Sequence, residues 1–179
     1  MNRSVCATRH IAFPLTLLIL SVMLVGCGSL PSTSIRRAAP YGERPPTSAI
    51  AQEKSNSIVL FALGLIDTGY RFGGKNPAAG FDCSGMVSYI FEQAIGIRVT
   101  GSAADIAQRG KPVDMGQLRP GDLVFFNTSN KPFSHVGIYI GDDRFVHAPS
   151  SSGLARVRTE SLKTTYFATR LEAARSLLD

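Results

Sequence analysis

Cys83, His135 and His147 are the side chains in this sequence whose types suit nucleophilic attack on an amide. A thiol attacks usefully only as thiolate, and a helix N-terminus and a neighbouring imidazolium are the two features that lower its pKa most. Asp82 is a good N-cap, and Met86, Val87, Ile90 and Phe91 form an apolar stripe after it, ending near Gly96. Cys83 therefore falls in the first turn of a predicted helix, and the imidazole must come from His135 or His147.

Both histidines fall in predicted strands of one hairpin, Ser134 to Ile140 and Arg144 to Ala148. Strand alternation turns Val136, Ile138 and Ile140 toward the core and His135, Gly137 and Tyr139 the other way, with Gly137 leaving room for a packed helix. A three-residue turn, Gly141-Asp142-Asp143, would pair Ile140 with Arg144 and Gly137 with His147, placing His147 diagonal to His135 on one face. Their Cβ atoms would then lie on the order of 7 to 8 Å apart, within reach of a ring-to-ring hydrogen bond that orients His135. A two-residue turn would put them on opposite faces. Residue by residue, the ordinary alternative is an inert buried cysteine and two satisfied core histidines.

The elements that must position these groups begin well inside the chain. Arg3 and Arg9, the apolar run of about fifteen residues from Ile11 to Val25, and Leu24-Val25-Gly26-Cys27 read as an export signal over residues 1–26. The run contains Pro14, Thr16 and Ser21 and falls short of the roughly 20 residues a spanning helix needs. Small residues before Cys27 resemble a bacterial lipoprotein signal, in which that cysteine is acylated. Residues 27–46 are rich in Ser, Pro and Arg without an apolar period and read as a flexible tether. Arg36, Arg37 and Arg44 within it are expected to face anionic lipid headgroups. Residues 47–179 suffice for one compact domain.

Without the signal, 17 basic residues stand against 13 acidic ones, a mild net charge of +4 with no basic run, and nothing points to nucleic acid. Cys6 leaves with the signal and Cys27 would carry lipid, so Cys83 has no partner for an internal disulfide.

Within the domain, Thr47 to Asp67 reads as a helix capped by Thr47, with Ile50, Ile58, Leu60, Phe61 and Leu65 as its apolar residues. Tyr70 to Gly80 is rich in turn formers and reads as a loop. A third helix spans Ser102 to Arg109. Strands follow at Leu123 to Phe126, in the hairpin above, at Leu154 to Thr159 and at Tyr166 to Leu171. Helices first and strands later predict an α+β fold with an antiparallel sheet.

Taken together, Tyr70-Arg71-Phe72-Gly73-Gly74, Phe81-Asp82-Cys83-Ser84-Gly85, Leu118-Arg119-Pro120-Gly121-Asp122-Leu123-Val124-Phe125-Phe126, His135-Val136-Gly137-Ile138-Tyr139-Ile140-Gly141 and Phe145-Val146-His147-Ala148 resemble the NlpC family of papain-like cell-wall cysteine peptidases. The resemblance implies a papain-like fold with Cys83 as nucleophile, His135 as general base and acid, and His147 as the orienting residue. It further implies that Tyr70 lines the site near the developing oxyanion, that Asp82 and Ser84 border the substrate groove, and that no metal or organic cofactor is needed. The implied substrates are peptides of peptidoglycan, cut at bonds involving diaminopimelate. Many relatives carry Pro-Arg before the third helix where this chain has Thr100-Gly101, which bears on groove specificity. The expected state is a monomer, lipid-anchored at the periplasmic face of the outer membrane. A noncatalytic wall-binding lipoprotein and a thiol amidase or acyltransferase stay open as alternatives.

Overall fold

The computed structural model describes residues 44, 46–150 and 155–178. The signal, Cys27 and nearly all of the tether lie outside the described residues. Arg44 does not, and it differs from expectation. Its guanidinium forms a two-pronged ion pair with the buried carboxylate of Asp122, one arm at 2.9 Å, and its backbone N–H donates to Gln117 Oε1 at 2.9 Å. Arg44 is thus a structural residue of the domain and not a headgroup contact.

Helix α1 (Ala49–Gly64) is capped by Ser48, whose hydroxyl accepts the Ala51 N–H at 3.1 Å, and it stops before the expected Asp67. Its buried face is Ala51, Ser55, Ile58 and Ala62, while Ile50 and Leu60 are more than two-thirds exposed. Small residues form the buried stripe because they let α1 approach α2 and the sheet closely. Two short strands, β1 (Lys75–Asn76) and β2 (Gly80–Phe81), pair within the expected loop.

Helix α2 (Cys83–Ile95) carries the predicted stripe, buried at Met86, Val87, Ile90 and Phe91, and ends at Gly96 in the left-handed region. The Gly96 N–H bonds Glu92 O and the Ile97 N–H bonds Phe91 O, closing the last turn. Helix α3 (Ala103–Ala107) is held by a reciprocal Ser102–Asp105 capping box and is shorter than expected.

The six-stranded antiparallel sheet runs β3 (Lys111–Pro112), β8 (Leu171–Ser176), β4 (Leu123–Phe126), β5 (His135–Gly141), β6 (Arg144–His147) and β7 (Arg158–Ser161) in spatial order. Two expected strands are corrected. The strand expected at 154–159 lies at Arg158–Ser161, with Leu154 outside the described residues. Tyr166 to Leu171 is no strand: helix α4 (Thr165–Ala168) buries Phe167, and β8 begins only at Leu171. The Leu-Glu-Ala-Ala-Arg-Ser composition of β8 lacks the β-branched and aromatic residues that mark a strand, and its pairing with β4 decides its conformation.

Both faces of the sheet are covered. Leu123, Phe125, Val136, Ile138 and Val146 pack against α1, α2 and α3, whereas Val124, Phe126, Tyr139, Phe145 and Phe167 form a second core on the opposite face. His135 and Gly137 alternate with Val136 and Ile138 and so share the second face with Tyr139. The gap expected at Gly137 takes no helix: a Cβ there would sit 2.6 Å from the Phe145 ring, so an aromatic fills it.

The β5–β6 turn is a two-residue one, with Asp142 and Asp143 both left-handed at φ 50° and 55°. That turn alone would separate the histidines. A bulge between Tyr139 and Gly141 inserts one residue opposite Arg144 and restores the register Tyr139↔Phe145 and Ile138↔Val146. Continued one step, this register sets Gly137 opposite His147 and His135 diagonal to it.

Candidate active site

Cys83 opens α2, and its neighbours lock that helix end in place. The Asp82 carboxylate accepts the Gly85 N–H at 2.6 Å, the Gly73 N–H at 2.9 Å and the Ser84 hydroxyl at 3.1 Å. The Asp82 N–H in turn donates to Gly74 O at 3.2 Å. Gly85 must be glycine because a Cβ there would collide with Gly74 O. Asp82 borders the groove, but its oxygens are largely spent on holding the Gly73–Gly74 loop against the helix.

His135 and His147 are buried, with His135 Nε2 2.8 Å from His147 Nδ1 and the rings near perpendicular at 79°. Phe145 and Phe167 pack on His147 with ring centroids 4.9 and 5.3 Å away, which fixes its plane. His147 Nε2 is buried and has no hydrogen-bond partner among the described residues. The tautomers follow from the proton His135 must accept. With Nε2 engaged by His147, Nδ1 is the nitrogen left to take a proton, so Nε2 must already carry one and donate it to His147 Nδ1. The single ring proton of neutral His147 then sits on its unpartnered Nε2.

Tyr70, Asp82, Cys83, Ser84 and His135 line one groove of about 630 Å³. His147 is absent from that groove and reaches it through His135. A second cavity of about 480 Å³ lies beyond the imidazole and shares Thr128, His135 and Ser150 with the groove.

Burial sets the electrostatics. Half-buried Cys83 has its pKa raised, chiefly by burial and further by the Asp82 charge. The backbone N–H groups of Val136, Ser84 and Cys83, aimed at the sulfur, pull the other way. In the free site desolvation outweighs these backbone donors. His135 is lowered from 6.5 to about 4 by burial and then by the Arg158 charge, and His147 is lowered further by burial and by His135. Each charge is unfavourable by itself, so the thiolate and imidazolium form best together, each as the other's counter-charge. Burial also raises Tyr70, keeping its hydroxyl protonated as a donor at the groove.

Sequence reasoning missed Arg158 and Glu160, paired Nε to Oε1 at 2.9 Å on β7, which line the second cavity. Arg158-Thr159-Glu160 has the polar alternation of an exposed edge strand, and only the fold brings it beside the histidines.

A groove-lining thiol at a helix N-terminus and an imidazole on the adjoining antiparallel sheet define a papain-like thiol hydrolase architecture. Residues 67–176 match the model of the NlpC/P60 family, and the chain belongs to that family of cysteine peptidases. It is 40% identical over 109 residues to the murein DD-endopeptidase MepS/murein LD-carboxypeptidase of Escherichia coli K12, covering 61% of this chain and 55% of that protein. It is 40% identical over 119 residues to the gamma-DL-glutamyl hydrolase of Bacillus subtilis, covering 66% and 28%. The crystal structure of the NlpC/p60 domain of the peptidoglycan hydrolase SagA superposes with a TM-score of 0.58 at 30% identity, covering 69% of this chain and 98% of that one. The chain thus spans about half or less of the length of these curated relatives.

Proposed function

We propose that this protein is a cell-wall cysteine endopeptidase that hydrolyses peptide bonds in peptidoglycan stems or crosslinks, at bonds involving diaminopimelate. The observation that carries the reading is the placement of Cys83 and His135 in one groove, with His135 Nε2 held by His147. Cys83 Sγ bonds to the scissile carbonyl carbon as its proton passes to His135 Nδ1. The C–N bond then breaks, and the same proton goes to the leaving amine. Water, deprotonated by His135, attacks the thioester, and the proton returns to sulfur as the acid departs. The Cys83 N–H and the Tyr70 hydroxyl are suited to the developing oxyanion, and Ser84 to the groove wall. Names of relatives agree with this substrate class, since they include a murein DD-endopeptidase and a peptidoglycan hydrolase.

The same proposal places the mature chain in the cell envelope, acylated at Cys27 and anchored at the periplasmic face of the outer membrane as a monomer. Its support is the signal-like segment that ends at Cys27. The test is incubation of the protein with diaminopimelate-type peptidoglycan beside its Cys83→Ala variant, with fragments identified by mass spectrometry. Release that vanishes in the variant supports the peptidase and names the bond. Absent release, or equal release by the variant, favours a binding module.

A further inference from the structure

The second cavity is the feature the chemistry above leaves unused. It is roomy at about 480 Å³, contiguous with the groove at His135, and lined by a charge pair, Arg158 and Glu160, with Tyr166 and Thr164 nearby. Its position relative to the reaction is fixed by proton transfer. His135 delivers a proton to the leaving amine, so the amine-bearing half of the substrate must lie on the His135 side. The acyl half extends the other way, past Tyr70 and Asp82. We propose that the Arg158–Glu160 cavity is the leaving-group subsite, and that it receives an amphoteric side arm, a carboxylate and an ammonium on one carbon, by exchanging its internal ion pair for two external ones.

This inference rests on the peptidase reading. Its physical case is complementarity of charge. An arginine fork beside a carboxylate matches a carboxylate beside an ammonium, and the cavity stays neutral whether empty or filled. Both side chains are about 70% shielded, at 29% and 30% exposure, so a ligand pair would be read at reduced dielectric rather than in open water.

Three peptides with the same acyl half test the proposal: their leaving residue is diaminopimelate, lysine or norleucine, presenting both charges, the ammonium alone, or neither. The wild-type protein is expected to prefer diaminopimelate over lysine in kcat/KM by roughly ten-fold or more, the worth of one charged hydrogen bond. Arg158→Gln should collapse that ratio toward one, with Arg158→Lys restoring part of it. Glu160→Gln should instead collapse the ratio of lysine over norleucine. These ratios are internal to each variant, so a general loss of stability does not move them. Equal cleavage of all three peptides by the wild type, or an undiminished diaminopimelate preference in Arg158→Gln, overturns the subsite and leaves the peptidase standing. Cleavage of none, with Cys83 still alkylated by iodoacetamide, overturns the peptidase reading and the subsite with it.

Discussion

Acid should unfold this protein through His135. The imidazole is buried, and its pKa falls from 6.5 to about 4. Between those values the unfolded chain binds a proton at residue 135 that the folded chain refuses. Stability present above pH 6.5 is therefore lost as the pH falls toward 4. The interval, at 1.36 kcal/mol per unit, makes the loss roughly 3 kcal/mol, a large fraction of an ordinary domain's stability. His147 pulls in the same direction, chiefly through its own burial, and because the two rings touch their effects will not add. Urea unfolding at intervals from pH 7 to pH 4 reads the effect as a slope. The double variant His135→Gln/His147→Gln lowers stability at every pH by losing the ring pair, but it removes the titration. Across the range the wild type should lose roughly 3 kcal/mol more than the double variant. Parallel profiles, differing by less than about 0.5 kcal/mol in their change with pH, would refute the claim that burial of these rings governs acid stability.

Activity should show the same ring from the other side. The acid limb of kcat/KM is expected near pH 4 rather than 6.5, because Nδ1 must be unprotonated to accept the thiol proton; a limb at or above 6.5 would contradict it. Breaking the buried Arg44–Asp122 pair by Arg44→Met should cost about 3 to 5 kcal/mol in urea unfolding, because Asp122 is left buried without its counter-charge. Gly137→Ala should cost about 1 to 3 kcal/mol by driving a methyl into Phe145, and should lower kcat as well, since Phe145 packs on His147. Gly85→Ala should abolish turnover and speed proteolysis around Gly74, because the new methyl expels that loop from the start of α2.

The sequence by itself determined the chemistry-bearing groups and their local settings. Asp82 before an apolar stripe ending at Gly96 fixes a capped helix with Cys83 at its head, because caps and periodicity are local properties of the chain. Strand alternation likewise set His135 opposite in sense to Val136. What surrounds those elements was not legible. Of the apolar residues that mark the first helix, Ile58 is buried while Ile50 and Leu60 lie in water, since which face of an apolar helix is buried depends on what approaches it. Tyr166 to Leu171 read as a strand and holds α4, because Phe167 is drawn into a second core that no local pattern announces. The outcome at the histidines was the most finely balanced. A two-residue turn would have parted the rings, and the bulge at Ile140 and Gly141 reunites them; turn and bulge are chosen together by pairing along the whole hairpin. The tertiary structure alone decided that burial outweighs the helix terminus at Cys83, and that Arg158 and Glu160, more than twenty residues past His135 in the sequence, stand beside it. Desolvation and through-space charge depend on the assembled surroundings, which residue order does not display.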